Sequence, residues 1–132
     1  MENTYFAYLS NLIKHNDSFS INALESYLEI GVCDGYSIQC IIREFPSLQR
    51  TVLSDTWGAE YGGSNKGTHH HIIKLLLDEN FDIRKTIFLD GDSKETIPEY
   101  FKNNSEIFDL IYVDGDHSIY GCLVDVKNCI EH

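Results

Sequence analysis

The chain has 132 residues, enough for one domain that buries roughly two-thirds of the surface its unfolded form exposes. With 42% hydrophobic and 23% charged residues it is globular in composition, which argues against disorder or low complexity. Ten Lys and Arg stand against 21 Asp and Glu, and a net charge of −11 with no basic cluster argues against nucleic acid or an anionic membrane as partner. The start Met1-Glu2-Asn3-Thr4-Tyr5 has neither a basic nor an apolar leader region, and no apolar run nears the roughly 20 residues of a membrane span. The expectation is a cytoplasmic protein. Cys33, Cys40, Cys122 and Cys129 form no CxxC and read as reduced, mostly buried thiols.

In chain order, Tyr5, Tyr8, Leu9, Leu12 and Ile13 repeat at helical spacing and predict a leading helix over residues 4–14, with a linker to about 20. The core is expected over 25–132, all in a single domain. Ser26-Tyr27-Leu28-Glu29-Ile30 reads as a strand stopped by Gly31, and Ile38, Ile41, Ile42 and Phe45 mark a helix closed by Pro46. Residues 51–54 predict the second strand, ending at Asp55 and followed by a glycine-rich loop. A helix over 68–78 turns Ile72, Ile73, Leu75, Leu76 and Leu77 inward; residues 85–89 are the third strand. A helix near 95–103 carries Pro98 in its first turn, and residues 108–113 form an apolar fourth strand. Cys122, Leu123, Val126, Cys129 and Ile130 give the last helix its expected inner stripe. Alternating strands and helices predict an α/β fold of right-handed βαβ units, a parallel sheet with helices on both faces.

In such a sheet the ligand lies beyond the carboxyl ends of the strands, and here those ends are acidic. The first is followed by Glu29-Ile30-Gly31-Val32-Cys33-Asp34-Gly35, a turn that lets a ligand approach a helix N-terminus, or else an ordinary strand-to-helix turn. Asp55 stands about 20 residues beyond, where a carboxylate can hold both ribose hydroxyls; alone it would read as a cap. The third and fourth strands end in Asp90-Gly91-Asp92-Ser93 and Asp114-Gly115-Asp116-His117-Ser118. Gathering carboxylates at one rim costs repulsion, which favours a functional rim.

These four segments, in this order and spacing, resemble the motifs of class I S-adenosylmethionine-dependent methyltransferases across residues 25 to 127. Val113-Asp114-Gly115-Asp116-His117-Ser118 followed by Tyr120-Gly121 is the most specific of them. It is similar to the small-molecule subfamily that includes sugar and natural-product O-methyltransferases. The resemblance implies a Rossmann-like sheet of order 3-2-1-4 that lacks the family's usual strands 5–7, with S-adenosylmethionine as cofactor. It implies that Gly31, Cys33 and Gly35 line the methionine part, Asp55 holds the ribose, and Asp92 with the Ser93 amide contacts adenine. Glu29 would support the turn and the cofactor's amino group from beneath. Asp114, beside the sulfonium, and His117 would be the catalytic groups that take the acceptor's proton; His117 reads equally as a helix cap.

Relatives often use Mg²⁺, and Asp114 would be one ligand, but its partners would fall beyond residue 132, so a tightly bound metal is not predicted. His69-His70-His71 cannot chelate one ion from a helix, since neighbours point about 100° apart. Trp57 and Tyr61 read as packing on adenine or substrate, or as ordinary packing. A non-catalytic cofactor-binding or interaction module is the alternative; a nicotinamide dehydrogenase is disfavoured because GxGxxG is missing. The fourth strand would be an unprotected apolar edge, so a homodimer is expected unless the leading helix covers it.

Overall fold

The structure, a computed structural model, describes residues 24–58 and 68–131 together with Asn11 and His15. The elements run β1 (Ser26–Ile30), α1 (Tyr36–Glu44), β2 (Arg50–Asp55), α2 (His69–Asp78), a 3₁₀ turn (Ile83–Lys85), β3 (Thr86–Asp90), α3 (Ser93–Asn103), β4 (Leu110–Val113) and α4 (Ile119–Ile130). The leading helix and the glycine-rich loop after Gly58, Tyr61 included, lie outside the described residues.

The four strands are all parallel, in the order β3-β2-β1-β4. This is the expected Rossmann-like sheet. Strand side chains alternate between two apolar layers, as a period of two requires. Tyr27, Leu53 and Phe88 pack against Val32, Ile38, Phe45, Ile72 and Leu76 on the side of α1 and α2. Leu28, Ile30, Val52, Ile87 and Val113 pack against Ile97, Phe101 and Cys129 on the side of α3 and α4. Helices therefore cover both faces. Beneath the sheet Asp109 Oδ2 accepts from the amides of Glu25 and Ser26 at 2.8 and 3.0 Å, tying the start of β4 to β1.

Several elements depart from the sequence reading. In α4 the buried residues are Gly121, Asp125 and Cys129, spaced by four. Of the five residues expected to face inward, Cys122, Leu123, Val126 and Ile130 are exposed and Cys129 alone is buried; Ile119 is exposed as well. Both stripes have helical spacing; the loop after β4 closes on Gly121, where a Cβ would lie 2.0 Å from the Asp116 carboxyl carbon. Cys122 is exposed and Cys33 and Cys40 half-buried, leaving Cys129 as the buried thiol of the four; none of them forms a disulfide. Leu77 is exposed on α2. Helix α3 starts at Ser93, so Pro98 sits in its second turn and removes one interior hydrogen bond. Strand β4 begins only at Leu110, and β3 at Thr86 after the 3₁₀ turn.

Candidate functional site

Register assembles the rim. Ile30 lies opposite both Ser54 and Val113, and Asp55 opposite Asp90. The ladder continues one step past the strands: Gly31 N donates to Ser54 O, Asp114 N to Ile30 O and Gly91 N to Asp55 O, all within 2.8–2.9 Å. Asp55, Asp90 and Asp114 thus project from neighbouring strand ends on the side of α1 and α2. Gly31, at φ +88°, makes this possible, since a Cβ there would lie 2.1 Å from the Asp114 carbonyl oxygen. The turn runs on through Cys33 at φ +54° to Gly35 at φ +85°, which enters α1.

The half-buried Asp55 carboxylate staples this turn. Its Oδ2 accepts from Cys33 N at 2.7 Å and its Oδ1 from Trp57 N at 2.9 Å. Each oxygen keeps further accepting capacity, the requirement for holding two vicinal hydroxyls. Glu29 does not reach the rim. It is fully buried, with Tyr27 Oη donating to Oε2 at 2.9 Å and the Ser37 hydroxyl bonded to Oε1. Burial pushes its carboxyl up to about 8 against the pull of those two hydrogen bonds, and the nearby charges of Asp114 and Asp55 add to the rise. Its observed role is to brace the first turn of α1.

At the end of β4, Asp114 Oδ1 lies 3.0 Å from His117 Nε2, and both side chains are open to an incoming molecule. These two predicted groups come together. Between them in sequence, Asp116 is engaged elsewhere: its carboxyl is held down to about 2 by the Ser118 amide and hydroxyl and then by Lys94, whose Nζ lies 3.0 Å away. Asp92 caps α3, accepting from Lys94 N at 3.0 Å, and the Ser93 hydroxyl donates to Asp125 at 2.6 Å. Both therefore carry local structure, with the Ser93 amide standing at a helix N-terminus.

Asp90 was read only as the carboxylate ending the third strand, Ser37 and Asp125 escaped the sequence reading, and His69 was seen only in the histidine run. Asp90 Oδ1 accepts from Trp57 Nε1 at 2.6 Å and its Oδ2 lies 3.3 Å from His69 Nδ1. His69 in turn packs between Trp57 and Phe88, at ring distances of 5.9 and 3.8 Å. The alternation of β3 held a signal for Asp90, which shares a face with Phe88 and, through the register, with Asp55.

Among the described residues no group of three or more His, Cys, Asp or Glu could hold a metal ion. Asp114 and His117 offer two donors, and with Asp116 tied to Lys94 the set does not fit a magnesium shell. No helix among the described residues is long and apolar enough to cross a membrane.

The sequence matches the model of a family described as a methyltransferase domain over residues 28–132. No curated protein matches. Two solved structures align over nearly the whole chain. One, the crystal structure of the calicheamicin methyltransferase CalS11, has a TM-score of 0.64 and 16% identity over 96% of this chain and 57% of that one. The other is the apo structure of CalS11, described as a TDP-rhamnose 3'-O-methyltransferase of calicheamicin biosynthesis, with a TM-score of 0.67 and 18% identity over 97% and 56%. At these identities the likeness is one of fold, and this chain spans a little over half the length of those structures. The family match covers most of the sequence and coincides with the acidic rim: the chain belongs to the methyltransferase-domain family.

Proposed function

We propose that the chain is the cofactor-binding part of an S-adenosylmethionine-dependent methyltransferase for a small-molecule acceptor. The observation that carries this is the half-buried Asp55 carboxylate, which pins the glycine turn while keeping accepting capacity for ribose hydroxyls. When bound, the cofactor supplies an electrophilic methyl carbon on a sulfonium. The turn over residues 31–35, with Cys33 at its crest, lines the methionine part; Asp55 takes the ribose; Asp92 and the Ser93 amide meet the base. A rim bearing Asp55, Asp90 and Asp114 favours a cation there.

One of Asp114 and His117 would take the single proton that the acceptor hydroxyl gives up when it receives the methyl group and the cofactor leaves as the neutral thioether. With the two side chains 3.0 Å apart, one can take the proton while the other steadies the charge. The shared fold with a sugar O-methyltransferase makes a hydroxyl the first acceptor group to test. Transfer of labelled methyl from S-adenosylmethionine to a panel of sugars and phenols is expected to fall at least tenfold in Asp114→Ala or His117→Ala. Full activity in both variants would remove these residues from the chemistry.

We also infer that the protein works as a homodimer in the cytoplasm. Among the described residues β4 is paired only with β1, and the apolar stripe of α4 stands exposed. A non-catalytic cofactor-binding or interaction module is the second reading; binding of S-adenosylhomocysteine without any transfer would select it.

A further inference from the structure

Asp125 is, with Glu29, one of two fully buried carboxylates among the described residues. It lies on the inner face of α4, and the rim chemistry described above does not use it. Its Oδ1 takes the hydroxyl of Ser93, the first residue of α3, at 2.6 Å. Its Oδ2 is buried and finds no hydrogen-bond partner among the described residues. That oxygen faces the loop after β4, because a Cβ on Gly115 would stand 3.4 Å from it. Just above, Lys94 reaches Asp116 of the same loop at 3.0 Å. Gly121 lets that loop close on α4, since a Cβ there would strike the Asp116 side chain.

A buried carboxyl with an unpartnered oxygen is costly, and Phe101 and Cys129 already pack this layer without it. Burial pushes its acid equilibrium up, against the Ser93 hydrogen bond and the Lys94 charge, with Asp116 and Asp92 adding to the rise.

We propose that Asp125 is a positioning residue that fixes the start of α3, with Asp92 and Ser93, to the loop carrying Asp114 and His117. The base-binding and proton-accepting ends of the site then keep one spacing. This rests on the cofactor reading above, and the test separates the two. Asp125→Asn keeps an acceptor for the Ser93 hydroxyl and the shape of the side chain, so its Kd for S-adenosylhomocysteine is expected within threefold of the parent. Asp125→Ala and Ser93→Ala are each expected to weaken binding at least tenfold, with no further loss in the double variant. Cys129→Ala, one turn along the same buried face, should lower the melting temperature and leave Kd unchanged.

Amide hydrogen exchange supplies an arm independent of ligand. In Asp125→Ala, and not in Asp125→Asn, the hydrogen-bonded amides of Glu95, Thr96 and Ser118 should lose protection while β1 and β2 keep theirs. If the parent binds no S-adenosylhomocysteine, the cofactor reading falls, and exchange alone decides the link. Unchanged exchange at those amides, or additive losses in the Ser93 and Asp125 pair, would overturn the proposal.

Discussion

Glu29 has a measurable signature because its carboxyl is buried among apolar side chains and two hydroxyls. Its value of about 8 in the folded protein lies above the ordinary 4.5, so between those pH values the folded state holds a proton that the unfolded state has released. The stability due to that proton is complete below pH 4.5 and is lost as pH rises towards 8, at about 1.4 kcal/mol per unit. Urea melts from pH 5 to 8 should show the parent weakening through this window and Glu29→Gln nearly level, the variant becoming the more stable at pH 8. Parallel profiles would contradict the burial argument. At this scale the sequence was informative where backbone chemistry is restrictive. Gly31, Asp55, Asp114 and His117 could be placed from strand ends and glycine positions alone. Asp90 could be placed likewise, but its bond to Trp57 could not, nor those of Ser37 and Asp125, because the partners lie 33, 8 and 32 residues away in sequence and only packing brings them together.

Helix α4 illustrates what decides an element. Ser118 caps it, its hydroxyl accepting from Gly121 N at 2.9 Å, so Ser118→Ala should cost about 1 kcal/mol in chemical denaturation and Ser118→Asn much less. No loss in the alanine variant would mean that the cap is idle. The helix's existence was legible from periodicity; its cap, read as His117, is Ser118, and its orientation was not legible. Two stripes of the same period compete, and the one that faces the sheet holds Gly121, Asp125 and Cys129, including a carboxylate. A hydropathy pattern assigns the larger apolar stripe to the core, and here the interior preferred a close fit and the Ser93 hydrogen bond. The strands were easier to read, since β1 buries side chains on both faces and leaves a continuous apolar run apart from Glu29.

Across the whole molecule, order 3-2-1-4 sends the chain from β3 across the sheet to pair β4 with β1, and among the described residues it leaves β4 at an edge beside an exposed apolar stripe. If two copies cover each other there, sedimentation equilibrium at micromolar concentration should give twice the 15.1 kDa chain mass, and Leu123→Glu should give the monomer without loss of melting temperature. A parent that sediments as a monomer would remove the dimer. The central claim is that the acidic rim is a cofactor site, and calorimetric titration with S-adenosylhomocysteine tests it most directly. The account predicts saturable binding at one site per chain, weakened by about 1–3 kcal/mol in Asp55→Ala. No binding by the unmutated protein at millimolar ligand, or equal binding by Asp55→Ala, would contradict it.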